Sequence, residues 1–165
     1  MNPLDILKYG ETTLQDSLAR IPPSEWERKG VCGWWSVKHI IAHLASYEVL
    51  LEELLSEFSA APILTPTLSE LGSEGPYIFN DSQVEKRQTL SVDEMISEYA
   101  ASNQRAMAAA LGVPAEKWSQ VGTLPWYGSE YSLDDFIVYS YYGHKREHSA
   151  HIDVFADRLN TENKD

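Results

Sequence analysis

Five histidines fall in two short stretches of this chain, His39 and His43 in one and His144, His148 and His151 in the other. Imidazoles four residues apart share a helix face one turn from each other and can reach one ion. The second stretch carries the stronger pattern. Leu133, Ile137, Tyr141, His144, His148, Ile152, Phe155 and Leu159 follow in steps of 4, 4, 3, 4, 4, 3 and 4, which trace one face of a long helix. A core-facing stripe normally holds aliphatic side chains throughout. Leaving a buried imidazole without a hydrogen bond or a ligand costs about 1–3 kcal/mol. A divalent ion between His144 and His148 would satisfy both rings; a hydrogen-bonded histidine cluster is the alternative.

A catalytic zinc-type site takes three protein ligands and keeps one position open. Zinc, nickel, iron and manganese all accept imidazole, so ligand type does not choose the metal. His151 stands seven residues from His144, roughly 10 Å along a helix axis, so the third ligand is expected from another element. His43, between Ile40 and Tyr47 on the core side of its helix, is the choice over His39, which neighbours a polar first turn. His39 remains a fourth-ligand candidate. Tyr141, one turn before His144, and Tyr47, one turn after His43, are candidates to donate a hydroxyl hydrogen bond to a metal-bound water.

Two other features invite chemistry and are read as structural. His144-Lys145-Arg146-Glu147-His148 matches the inverted zincin pattern H-x-x-E-H. Glu147, however, falls about 100° around the helix from His148 and is expected on a solvated face with Lys145 and Arg146. Cys32 is expected to be a small buried hydrophobe with no base to activate it.

These residues need helices to position them, and four main ones are legible. The first runs from about Pro3 to Arg20, with Leu4, Leu7, Leu14, Leu18 and Ile21 on one face, and Pro22-Pro23 stops it. Ser24 to Glu27 suggests a short extra turn. The second starts at the N-cap Ser36 and carries Ile40, His43, Leu44, Tyr47, Leu51, Leu54 and Phe58. The third opens on the capping box Ser91-Val92-Asp93-Glu94, buries Met95, Tyr99, Ala106 and Ala110, and ends near Leu111 before Gly112 and Pro114. The fourth follows the N-cap Ser132, with Asp134 and Asp135 complementing its dipole, and runs to about Asn160. Between the second and third helices, residues 59–90 form a long link rich in Pro, Gly and Ser, in which Asn80-Asp81 either caps a short helix or lines a pocket. A link of that length lets the two helices run in the same direction. In the other link, residues 112–131, Trp126 and Tyr127 are candidates for a pocket lid. The expected fold is all-α: a four-helix bundle with one long crossover between helices two and three, forming a single domain over residues 1–165.

Composition narrows the function classes. The 165 residues are 43% hydrophobic and 23% charged, as in globular proteins that build a core. A formal charge of −12 repels phosphate backbones and anionic membrane surfaces, so neither nucleic acid nor membrane is an expected partner. No segment approaches ~20 consecutive apolar residues, and the first residues do not read as a signal peptide. One cysteine forms no intrachain disulfide, and a reducing cytoplasm is the simplest location.

The stretch Trp35-Ser36-Val37-Lys38-His39-Ile40-Ile41-Ala42-His43-Leu44-Ala45, together with Gly143-His144-Lys145-Arg146-Glu147-His148-Ser149-Ala150-His151-Ile152, resembles the two anchor motifs of the DinB-like superfamily of metal-binding four-helix bundles. The resemblance implies a three-histidine site of His43, His144 and His148. His151 stands where members often place a glutamine, and His39 where they often place an acidic residue. The long link and the segment before the fourth helix point toward the maleylpyruvate isomerase N-terminal domain and the colibactin self-protection proteins. Some relatives of this kind are transferases or isomerases that use a low-molecular-weight thiol, others are metal-dependent hydrolases, and many have no assigned activity. A bound ion accounts for both chemistries, since it lowers the pKa of water or holds a thiol as thiolate.

The expectation is therefore a divalent-metal-binding protein acting on a small molecule as a hydrolase or a thiol-dependent transferase. The alternatives are a non-catalytic small-molecule binding or protection protein, and a bundle whose metal site is structural or lost. A homodimer is a further expectation from the way related bundles pair.

Overall fold

The computed structural model describes residues 2–162, and all of its regular structure is helical. The elements are α1 (Pro3–Leu18), a 3-10 turn at Pro23–Glu25, α2 (Val37–Ser56), α3 (Pro66–Glu74), α4 (Pro76–Lys86), α5 (Val92–Leu111), α6 (Ala115–Trp118), α7 (Leu133–Ile137), a π-helical segment (Val138–Tyr142) and α8 (Gly143–Glu162). The described backbone packs as two compact units, one of residues 2–38 and 121–162 and one of residues 39–120.

In the first unit α1 lies along α8, the π-helical segment and α7. The predicted stripes face inward: Leu7, Leu14 and Leu18 of α1 are buried, as are Leu133, Ile137, Tyr141, Ile152, Phe155 and Leu159. Burying each such side chain contributes about 1.5–3 kcal/mol. Close approach depends on Gly10, where a Cβ would meet Tyr142 Cδ2 at 3.3 Å and Lys145 Cδ at 3.6 Å. Beside this contact Lys145 Nζ donates to Glu11 Oε2 at 2.9 Å. The sequence reading put Lys145 on a solvated face, and the structure corrects it: Lys145 is 3% exposed. Its aliphatic stem fits against the helix that Gly10 lets in, and its ammonium is neutralised on site. Ser132 is the N-cap of α7, as expected, and forms a reciprocal pair with Asp135 that the sequence reading did not name.

The second unit holds α3 to α6 and all of α2 from His39 onward. Arg105 Nε donates to Glu52 at 2.8 Å and Asn103 Nδ2 donates to Glu48 at 3.1 Å, tying α5 to α2. The capping box of α5 is present, with Ser91 Oγ accepting from the Glu94 N–H. Its predicted face, Met95, Tyr99, Ala106 and Ala110, is buried. The long link holds two short helices, α3 and α4. Each opens on a proline, Pro66 and Pro76, at a position where the missing N–H is not needed. The first turn of α3 is served from α2: Glu53, buried to 3% exposure, accepts the N–H groups of Thr67 and Leu68 at 3.1 and 2.8 Å. Asn80 and Asp81 lie inside α4 rather than at a cap.

Candidate metal centre

His144 and His148 occupy the first two turns of α8. The segment before them is π-helical, and the Gly143 N–H donates back to the Val138 carbonyl. A Cβ at Gly143 would come within 3.3 Å of that carbonyl oxygen, so glycine suits the wide turn. The Nε2 atoms of His144 and His148 lie 3.1 Å apart. With metal–nitrogen bonds of about 2.0–2.1 Å, that separation subtends roughly 98° at a shared ion, between octahedral and tetrahedral values. It also suits a hydrogen bond from one ring to the other. The separation alone is compatible with either arrangement.

Burial sets their charge. Desolvation, with Lys145 adding repulsion, holds the His144 imidazolium down to a pKa of about 4. Desolvation, with repulsion from His144 and His151, takes His148 to about 3. Both rings are neutral at physiological pH and offer lone pairs that protons do not contest. Trp35 stacks on His148, with centroids 6.4 Å apart and planes at 29°, which fixes the ring's orientation.

His43, the third residue of the expected set, belongs to the second unit and is 2% exposed. Its ring lies 4.8 Å from that of Tyr47. The Tyr47 hydroxyl donates to Asn80 Oδ1 at 3.1 Å, and burial raises its pKa above the ordinary phenol value. Tyr47 thus has a hydrogen-bond acceptor on α4 that the sequence did not reveal. His39, at the start of α2, is half-buried. Tyr141 is buried with its ring 5.5 Å from Phe136. Trp126 and Tyr127, the candidate lid, pack edge-on against the same Phe136 at 5.6 and 4.9 Å, and Trp126 keeps 66% of its surface exposed. Glu147 is exposed, as expected for a residue outside the stripe.

Sequence reasoning missed a second grouping within the first unit. Cys32, His148 and His151 each bring one donor atom to within 4.8 Å of the others. The turn Cys32–Trp35 closes through a hydrogen bond from the Trp35 N–H to the Cys32 carbonyl at 2.9 Å, and Gly33 adopts φ +58° in it. Arg158 donates to the Gly30 carbonyl at 2.7 Å and ties the same loop to α8. Cys32 is half-buried, and desolvation, helped by the Glu147 carboxylate, raises its thiol pKa. The three-residue step from His148 to His151 was the available signal; the spacing from His144 had set His151 aside.

No helix among the described residues is long and apolar enough to cross a membrane. No curated protein and no solved structure gives a significant match to this chain. The family model of the mycothiol maleylpyruvate isomerase N-terminal domain matches residues 8–131, a span that includes His39 and His43 and ends before His144. That match covers about three-quarters of the sequence, and the chain therefore belongs to the mycothiol maleylpyruvate isomerase N-terminal domain family, a DinB-like group of helical proteins.

Proposed function

We propose that this protein binds a divalent metal ion through His43, His144 and His148 and uses it on a small molecule, as a metal-dependent hydrolase or a thiol-dependent transferase. The observation that carries the reading is the α8 pair: the half-buried His144 and the buried His148, both neutral, with Nε2 atoms 3.1 Å apart. His43 enters through the W-S and H-L-A anchor of the sequence and through the family match that contains it. When bound, the ion supplies Lewis acidity, lowering the pKa of a water or thiol so that a nucleophile exists at neutral pH. The protein's own residues keep the ligands neutral and oriented. Trp35 holds the His148 ring by stacking, and Asn80 holds the Tyr47 hydroxyl.

The family takes its name from an enzyme that uses mycothiol. That favours a low-molecular-weight thiol as co-substrate over plain hydrolysis. The same reading includes a four-helix bundle with the 59–90 segment as crossover and a single domain, supported by a family match that runs through both units. Zinc, nickel, iron and manganese suit the donor set. A small-molecule ligand and a homodimer belong to the proposal, and the net charge of −12 supports the absence of nucleic-acid and anionic-membrane partners. A second reading rests on the same short separation, which also suits an imidazole–imidazole hydrogen bond in a protein that binds no metal.

Elemental analysis of purified protein separates the two. The wild type is expected to bind a first-row divalent metal, His43→Ala and His144→Ala to carry markedly less of it, and His148→Ala to lose it. Equal metal content in wild type and variants would overturn the three-histidine site. A wild type that takes up no metal even after reconstitution would favour the hydrogen-bonded pair.

A further inference from the structure

Three donors of metal-binding type converge at one place in the first unit without belonging to the three-histidine set as a group. Cys32 comes from the turn before α2, and His148 and His151 come from successive positions on one side of α8. The sulfur and one nitrogen from each ring lie within 4.8 Å of one another. The His148 and His151 rings have centroids 5.6 Å apart. His151 Nδ1 is shielded from solvent and has no hydrogen-bond partner among the described residues. A buried ring nitrogen left so is unfavourable unless something binds it.

We infer that Cys32, His148 and His151 form a second donor set, one that holds a soft divalent cation of the zinc or cobalt type through a thiolate and two imidazoles. Donor atoms around a tetrahedral zinc lie about 3.3–3.6 Å apart, given Zn–N of about 2.0–2.1 Å and Zn–S of about 2.3 Å. The observed spread, up to 4.8 Å, is wider than that value, so binding would draw the three donors together. The thiolate and imidazole mixture selects borderline and soft ions over magnesium or calcium. On binding, the Cys32 S–H bond breaks, its proton goes to solvent, and the sulfur electron pair forms the bond to the ion. One thiolate, two neutral rings and a dication leave a single positive charge; burial and the nearby Glu147 carboxylate hold the thiol protonated until the ion's charge draws the proton off. The loop that carries Cys32 is held by the Trp35-to-Cys32 hydrogen bond and by Arg158 on Gly30. His148 is common to this set and to the three-histidine set, so the two positions adjoin.

Cobalt(II) titration of the full chain tests this, because a cysteine thiolate on cobalt gives a near-ultraviolet charge-transfer band that imidazole and carboxylate ligands do not. The wild type is expected to develop the band. Cys32→Ser is expected to abolish it, and His151→Ala to weaken cobalt binding read at that band by about tenfold or more. His43→Ala is expected to keep it. Absence of the band in the wild type, or a band indifferent to His151→Ala, would overturn the inference. A second measurement needs no variant: zinc is expected to slow iodoacetamide alkylation of Cys32 in the wild type by about tenfold or more, as ligation removes the free thiolate, and an unchanged rate counts against the site. The two proposals fail separately. Metal loss in His43→Ala with no thiolate band leaves the three-histidine reading alone, whereas a thiolate band with metal retained in both His43→Ala and His144→Ala leaves only the cysteine site.

Discussion

Burial decides the protonation state of His144 and His148 before any ligand arrives. Their pKa values of about 4 and about 3 lie below the 6.5 of an exposed imidazole. As pH falls below 6.5 the unfolded chain takes up protons that the native rings refuse, so stability declines through the window down to about pH 4 and 3 and then levels. Within that window each ring removes about 1.4 kcal/mol per pH unit. Urea unfolding of metal-free protein between pH 7 and pH 5 is expected to show this slope, and His148→Leu to flatten it; an equal slope in both proteins would mean that His148 titrates normally. Lys145 gives a second prediction at this scale. Removing Glu11 takes a carboxylate at 2.9 Å away from a buried ammonium, whereas removing the ammonium leaves Glu11, which is partly exposed, to water. Glu11→Ala is expected to destabilise by about 3 kcal/mol and Lys145→Met by much less, a difference that chemical denaturation resolves.

Among the elements, caps and helix stripes were read correctly where local chemistry sets them. Ser91 and Glu94 satisfy each other's backbone neighbours in the structure as their spacing predicts. Ser91→Ala is expected to lower stability by about 1 kcal/mol, measurable as a shift in the urea midpoint without change in its slope. Within the 59–90 link the sequence offered at most one short helix, capped at Asn80-Asp81, where the structure has two. Pro66 and Pro76 stand at helix starts, and the buried carboxylate that serves α3 belongs to Glu53 on another helix. No local pattern announces that pairing. Gly10 was likewise invisible: inside an amphipathic stretch it looks like a weak point, yet it is where α1 meets Tyr142 and Lys145. Gly10→Leu is expected to destabilise by about 1–3 kcal/mol through overpacking, opposite in sign to its gain in helix propensity.

At the scale of the whole molecule, metal binding and folding should be linked. A ligand that binds only the native state at a hundred times its dissociation constant stabilises by about 2.7 kcal/mol. The melting temperature is expected to rise on adding zinc or nickel to chelator-treated protein and to fall when chelator is restored. His148→Ala is expected to lose the response, since that residue belongs to both proposed donor sets. A melting temperature that ignores metal and chelator alike would mean that no ion is held by the folded state. The acidic surface, −12 overall, adds a long-range attraction for cations that high salt should weaken.

The chain's own order of residues determined that the protein would be helical, where its main helices begin, which faces they bury, and that His144 and His148 would sit together, because spacing, capping and amphipathicity act over one or two turns. Only the tertiary structure decided that Lys145 is buried, that the long link holds two helices, and that Cys32 meets His148 and His151. Each of those depends on a group far away in sequence: Glu11 on α1, Glu53 on α2, and a glycine-bearing turn that Arg158 ties to α8. Periodicity reports which side of a helix faces inward, but not what stands opposite it.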